Sequence, residues 1–599
     1  MWYEIDEQRL EGEPEGRHLP LAEMLRRILP LFHPYRFAIA LAALFLLVSV
    51  AAELGGPLIV RHLLDKDIPN GDARGLLIRA LAYVLLFAVG MGAAYAQIVL
   101  VARSGLRIVT GLRQRVFAHL LSLSLAYFDK NPPGRLLART ESDVERLMML
   151  FSDVAIALLR NAILFLGTFT VMFLADSRVA LAVLALMTPL LIATYFFLKY
   201  IRRASRAVRS LYARISSFLV EYVQGIPILQ IFGYAEQAKL ELMRRNKDKY
   251  SREVRLYYVE YVFWAAFSAA EIAAVMTIIY VGARQVFDKA MTVGTLVLFI
   301  EYTRRLFWPL ILFSEQLDFI QRAFASADRV FEVLDTPSRT PDRPGARETI
   351  PGDWKEIAFE QVSFQYDGGA KALEEVSFRV RRGEKVALVG LSGGGKTTVT
   401  NLLLRYYEPT AGRVTIDGVD IRDYLQRSWR SKIGLVLQDI HLFPGNVGEN
   451  LRVLRERVPQ AALDRALRVV QAEELLARLP DGYATEVAEG GGNLSMGERQ
   501  LLCFARAVVD DPDILVLDEA TSAVDPVTEA RLQRSLDALL AGRTSLIVAH
   551  RLATITSADR ILVLHQGRLV EEGSHAQLYA RGGIYRDLFD LQFAAQREA

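Results

Sequence analysis

The chain has 599 residues, more than one hydrophobic core of roughly 250–300 residues organises, so at least two folded units are expected. A mean hydropathy of +0.21 beside 23% charged residues excludes a uniform soluble globule and points to apolar and charged stretches kept apart along the chain. The net charge of +3 with no dense basic tail leaves no electrostatic footprint for nucleic acid, and the single cysteine, Cys503, excludes an intramolecular disulfide.

Residues 1–36 read as a cytosolic N-terminus followed by an interfacial elbow helix. Met1 to His18 is polar and acidic, without the basic start and apolar centre of a cleavable signal peptide. The apolar run from Leu21 carries Arg26, Arg27 and Pro30, a pattern that suits a helix lying on the membrane surface.

Residues 37–334 read as an all-α transmembrane domain. Six stretches approach the roughly 20 apolar residues that span about 30 Å of hydrocarbon: Phe37 to Val60, Leu76 to Val101, Leu150 to Leu174, Val179 to Leu198, Trp264 to Val286 and Val293 to Phe313. The third and fourth are separated only by Ala175-Asp176-Ser177-Arg178. The connections after the second and fourth stretches are long and rich in arginine, from Arg103 to Arg146 and from Arg202 to Arg255. The positive-inside bias places those connections and both termini in the cytoplasm of a multi-pass protein of the cell (inner) membrane. Each connection holds one turn, at Asp129 to Gly134 and at Gly225 to Gly233, expected as short transverse helices or as solvated loops. Glu53, Glu271 and Glu301 fall inside or at the ends of apolar stretches, where an ionisable group is costly; substrate-path and interface roles both stay open.

Residues 335–354, rich in Pro, Arg, Thr and Gly, read as a linker, and 355–599 as an α/β ATPase domain. The apolar strand Lys385 to Gly390 runs into Gly390-Leu391-Ser392-Gly393-Gly394-Gly395-Lys396-Thr397-Thr398 and then a helix, which is a phosphate loop in its strand, loop, helix setting. Its glycines let backbone N–H groups approach phosphates, Lys396 reaches the β and γ phosphates of ATP, and Thr397 ligates Mg²⁺. The apolar strand Ile514 to Leu517 ends in Asp518, suited to the Mg²⁺ linkage, and Glu519, suited to polarise the attacking water.

With these motifs in order, the chain resembles the ATP-binding cassette (ABC) family and, over its whole length, a half-size exporter of the multidrug and lipid class. The resemblance implies a six-helix transmembrane domain fused to a P-loop ATPase domain with a helical subdomain. It implies that Tyr366 stacks on adenine, that Gln438 is a further Mg²⁺-side residue, and that Leu494 to Glu498 is the signature, with Ser495 and Gly497 serving ATP held by a second half-transporter. Ser522 to Asp525 corresponds to the D-loop and His550 to the switch histidine. The implied cycle clamps two ATP molecules between two chains, moves the membrane helices, and resets on hydrolysis assisted by Glu519 and His550, exporting an amphipathic compound. The signature departs from the family's usual Leu-Ser-Gly-Gly-Gln at Met496 and Glu498. Bulk and negative charge beside a polyanion predict one weakened site, and hence a heterodimer with one competent ATP site; a homodimeric exporter or lipid flippase is the alternative, and an ATP-gated channel a more distant one.

Overall fold

The computed structural model describes residues 20–367, 369–391, 393–453, 458–518, 526–549 and 551–597. Two compact units emerge, one made of Met1–Leu121 with Pro133–Thr336 and the other of Ser122–Pro132 with Pro337–Ala599.

The first unit is helical throughout its described residues. After the amphipathic helix Leu21–Phe32 come the long helices Arg36–His62, Ala73–Ser122, Ala155–Ala175, Ser177–Gln224, Ala235–Phe287 and Val293–Asp335. Five stretches among the described residues are long and apolar enough to cross a membrane. The sixth expected stretch is continuous helix, but Glu301, Arg304 and Arg305 interrupt its apolar run. The 50-residue helix Ala73–Ser122 is about 75 Å long at ~1.5 Å per residue, so it reaches some 45 Å past a ~30 Å hydrocarbon layer. Outward-facing Leu85, Leu166 and Leu174 are exposed, as side chains bathed by lipid are.

Local chemistry sets the turns. Asp176 ends the third crossing in extended geometry and caps the fourth, its Oδ1 accepting from Arg178 N at 2.9 Å and Val179 N at 3.2 Å. Thr292 caps the sixth helix, and Asp65 accepts from Gly294 N at 2.7 Å and from the Thr292 hydroxyl at 2.6 Å, tying the end of the first crossing to the start of the last. The core is filled by Met172, Val183, Met187, Phe267, Phe299 and Tyr302. Leu54 packs where a Cβ on Gly167 would lie 2.5 Å from it, so those two helices approach closely.

The expected turn at Asp129 to Gly134 is where the short helix Leu125–Lys130 gives way to Pro133–Thr140, and that at Gly225 to Gly233 holds the short helix Ile226–Ile231. The helix Leu125–Lys130 belongs to the second unit, where Ala126 is buried in the core. The second turn leaves Ile228, Ile231 and Phe232 exposed.

The second unit has a six-stranded sheet in the order Arg568–Gly573, Arg560–His565, Lys385–Val389, Thr544–Val548, Ile514–Asp518, Ile433–Val436, parallel except for its antiparallel first strand. A four-stranded antiparallel sheet, built on Glu356–Gln365 between Lys371–Arg381 and Ala411–Ile416, covers one side. Helices Gln460–Val469, Glu473–Arg478 and Met496–Val508 share the other core. Within the segment expected as a linker, Ile350 and Trp354 are buried in the core of this unit.

Candidate nucleotide site

In an open parallel sheet, ligands sit beyond the carboxyl ends of the strands. Three site elements meet there. The strand Lys385–Val389 feeds the phosphate loop, which feeds the helix Lys396–Leu403. The strand Ile514–Asp518 ends at Asp518 opposite Val548, with Thr544–Val548 lying between it and the loop strand. Ile433–Val436 flanks the far side and leads to Gln438.

The loop geometry demands glycine. Gly395 precedes the helix at φ 101°, where a Cβ would lie 2.7 Å from the Ala372 carbonyl oxygen; a Cβ on Gly390 would lie 2.2 Å from the Leu564 carbonyl oxygen. Gly393 and Gly394 continue the turn. Lys396 is buried and donates from Nζ to the carbonyl oxygens of Gly390 at 2.8 Å and Leu391 at 3.1 Å. Burial pulls its ammonium pKa below the ordinary lysine value, against the opposing pull of the Asp518 carboxylate. A polyanion in the loop supplies the charge partner that two neutral carbonyls do not. Thr397 points to solvent, while Thr398 is buried with its Oγ1 3.2 Å from the Tyr366 hydroxyl.

Tyr366 sits in an aromatic corner, edge-on to Phe364 and to Tyr407, with ring centroids 4.8 and 5.2 Å away. A cavity of about 390 Å³ opens beside it, walled in part by Tyr407, Asp129, Lys130 and Arg339. The Tyr407 hydroxyl donates to the Asp129 carboxylate, and burial followed by this bond pushes its pKa well up, keeping the proton in place. Asp367, one residue past Tyr366, accepts from Lys130 and Arg339, which hold its carboxyl below the usual range.

Gln438 and Asp518 line one narrow cleft together with Met496, Gln500 and Arg551. Among the described residues no cluster of three His, Cys, Asp or Glu side chains holds a metal unaided. The hard oxygens of Thr397, Asp518 and Gln438 suit Mg²⁺, which binds through few protein ligands plus substrate phosphates. When bound, it neutralises charge on the β and γ phosphates.

Ser495 caps the helix Met496–Val508 in a reciprocal box: its hydroxyl accepts from Glu498 N at 3.3 Å, while the Glu498 carboxylate accepts from Ser495 N and Oγ, each at 2.8 Å. Gly497 is buried, and a Cβ there would lie 2.4 Å from Thr528 Cγ2. Glu519, His550, Ser392 and the run Ser522 to Asp525 lie outside the described residues.

Sequence reasoning missed three side chains that hold this site. Arg405 is fully buried and donates to the carbonyl oxygens of Ile421 at 3.2 Å and Tyr424 at 2.6 Å. Arg506 donates to the carbonyl oxygens of Asn450 at 3.0 Å and His441 at 2.8 Å, fixing the Ser495-capped helix to the segment that follows Gln438. Tyr407 has the role described above. All act across more than 15 residues of sequence, which local pattern does not encode.

Residues 39–310 match the model of the ABC transporter transmembrane region and residues 373–522 that of the ABC transporter. The chain is 35% identical to the ABC transporter ATP-binding protein YknV of Bacillus subtilis, over 96% of this chain and 95% of that protein. It is 33% identical to the ATP-dependent lipid A-core flippase of Syntrophus aciditrophicus, over 95% of each. A solved bacterial Atm1-family ABC exporter with ATP bound superposes with a TM-score of 0.74 at 29% identity, covering 93% of this chain and 98% of that one. With its transmembrane helices and its ATPase in one polypeptide, the chain belongs to the ABC transporter family as an exporter-type half-transporter that couples ATP hydrolysis to transport.

Proposed function

We propose that the protein exports amphipathic compounds, such as drugs, lipids or peptides, by alternating access, as one half of a heterodimer with one competent ATP site. Its similarity to a lipid flippase supports lipids and other amphiphiles as the substrate class. The arginine-rich connections support a multi-pass protein of the cell membrane with both ends and the ATPase domain, 355–599, in the cytoplasm. In this reading ATP and Mg²⁺ lie between this chain's Gly390 to Thr398 loop, Tyr366, Gln438, Asp518, Glu519 and His550 and the partner's signature. This chain's Ser495 and Gly497 face the partner's ATP.

The observation that carries the heterodimer is the position of Glu498. Its carboxylate occupies the helix end that would meet the partner's phosphates, and it accepts the hydrogen bond that the Ser495 hydroxyl donates. One observation favours the homodimer: Met496 turns into the chain's own cleft beside Gln438 and Asp518, so its bulk does not stand in the path of a partner nucleotide. The test is ATP hydrolysis by the reconstituted chain alone and with a candidate partner half, each with and without Glu519→Gln. Activity that needs the partner and vanishes with the substitution supports the single-site heterodimer. A lone chain hydrolysing and transporting at the full rate refutes it in favour of the homodimer.

A further inference from the structure

The helices Ala235–Phe287 and Val293–Asp335, which carry the fifth and sixth crossings, meet along a seam pinned by two contacts. The Phe267 and Phe307 rings stand edge to face with centroids 5.7 Å apart, and a Cβ on Gly282 would lie 2.5 Å from Leu296 Cδ1. Between these contacts the facing rows run Phe267, Glu271, Ala274, Ile278, Gly282 on the fifth crossing and Leu296, Ile300, Thr303, Phe307 on the sixth, at the three- and four-residue spacing of one helix face. Phe267, Ala274, Ile278 and Phe307 belong to the core of the unit, and only Glu271 and Thr303 in the two rows carry polar side chains. Glu271 lies one turn from Phe267, and Thr303 one turn from Phe307 on the antiparallel neighbour, so the two polar groups come level. They do not satisfy each other. Thr303 is 0% exposed and its hydroxyl has no partner, while half-buried Glu271 makes no hydrogen bond or ion pair among the described residues.

Glu271 is the one charged residue in 261–283 and lies about 10 Å inside the apolar stretch that begins at Trp264, at ~1.5 Å per residue. A carboxylate at that depth is costly without a counter-ion, and its own helix offers none near it. Glu301 differs, having Arg304 and Arg305 one turn along its helix. The group that completes the Glu271 level must therefore carry positive charge and donate hydrogen bonds. Aromatic surface adjoins it: half-buried Trp264 lies two turns from Glu271 on the same face, its ring 6.1 Å from that of Phe267. We propose that Glu271 and Thr303 bind the protonated amine of an amphiphilic substrate, its ammonium donating to the Glu271 carboxylate and the Thr303 hydroxyl oxygen and its apolar part lying against Trp264. As a substrate site it rests on the export reading above, within which it selects amines from the wider amphipathic class.

The test is equilibrium binding of dansylcadaverine, a fluorescent amphiphilic primary amine, to the purified transporter in uncharged detergent without nucleotide. Its N-acetyl derivative, which has the same apolar part and no charge, is the comparison. The expected result is saturable binding of the amine, weakened about tenfold or more by Glu271→Gln and about two- to threefold by Thr303→Val. The acetylated compound should bind more weakly to the parent and be indifferent to Glu271→Gln. An aryl azide derivative of the amine should label the parent on peptides covering 260–275 and 296–307, which decides the matter if the glutamine variant does not fold. No saturable binding, equal binding of the two compounds, or an amine Kd within twofold of the parent in Glu271→Gln overturns the proposal and leaves the level to water. Labelling elsewhere, or an equal loss from Glu301→Gln, overturns it as well. ATP-driven export of the acetylated compound into vesicles tests the export reading separately: its persistence beside a failed amine site sinks only the site.

Discussion

Glu498→Gln separates the two roles that the signature carboxylate plays, because they move in opposite directions. The carboxylate caps the N-terminus of Met496–Val508 and accepts two hydrogen bonds at 2.8 Å. An amide keeps the shape and one acceptor oxygen but loses charge assistance and the favourable interaction with the helix dipole, about 0.5–1 kcal/mol. The ATPase domain should lose ~1–4 °C in Tm. A phosphate charge arriving about 6 Å from the carboxylate meets a repulsion of ~3 kcal/mol at an effective dielectric of ~20. Solvent screening leaves ~1–2 kcal/mol, a five- to thirtyfold effect on occupancy. Removing the charge should therefore raise ATP affinity and hydrolysis at the site this signature faces by that factor, while stability falls. Binding of radiolabelled ATP and steady-state hydrolysis, measured with Glu519→Gln present to silence this chain's own catalytic site, isolate the effect. If both stay within twofold of the parent in the pair with the partner, Glu498 does not weaken the facing site and the single-site heterodimer loses its physical basis.

Lys396→Met should abolish the thermal stabilisation by Mg-ATP, which at a hundredfold excess over Kd is ~2.7 kcal/mol. Because burial depresses the folded-state pKa of Lys396, the unfolded chain binds more protons between that value and the ordinary ~10.4, and the parent gains stability as pH rises through this window. The nucleotide-free Tm of Lys396→Met minus that of the parent should accordingly shrink towards alkaline pH; a constant difference contradicts the burial argument. Arg405→Met leaves the Ile421 and Tyr424 carbonyls without their donor and should cost about 2–3 kcal/mol by chemical denaturation of the ATPase unit. Tyr407→Phe combined with Lys130→Ala frees the Leu125–Lys130 helix from the aromatic corner and Asp367, and should lower transported substrate per ATP at least twofold with ATP affinity unchanged. A proportional fall of transport and hydrolysis refutes that reading.

The helices of the membrane unit were legible because hydropathy and length carry the signal, and the Asp176 cap was visible as a break of four residues between apolar runs. The weakness of the sixth stretch was written in Glu301, Arg304 and Arg305. The phosphate loop was legible because the conformation at Gly395 and the close approach at Gly390 require glycine, so local chemistry and sequence coincide. The covering antiparallel sheet was not, since the strand Glu356–Gln365 pairs with Ala411–Ile416 across some 50 residues and its register shifts break the alternation that marks a strand. Nor did the sequence announce that Leu125–Lys130 belongs to the ATPase unit, because Asp129 finds Tyr407 nearly 280 residues away.

The same long-range logic bears on the three intramembrane glutamates. Pro57 sits inside the first crossing and has no N–H, which deprives the Glu53 carbonyl, four residues earlier, of its helical donor. Arg305 Nη1 of the sixth helix donates to that oxygen at 2.7 Å, and the Tyr302 hydroxyl donates to the next carbonyl, Leu54, at 2.5 Å. The Glu53 carboxylate accepts from Arg160 of the third crossing at 2.9 Å. One proline thus accounts for the cation on the sixth helix, and the carboxylate beside it is neutralised from the third, so the group ties three crossings together around a broken turn. Glu53 needs no substrate to explain it. Glu271 and Glu301 are half-buried with no cation partner among the described residues, and an acid in that state faces water, a partner chain or a substrate. Of the three, they and not Glu53 are the residues to examine for contact with a cationic amphiphile.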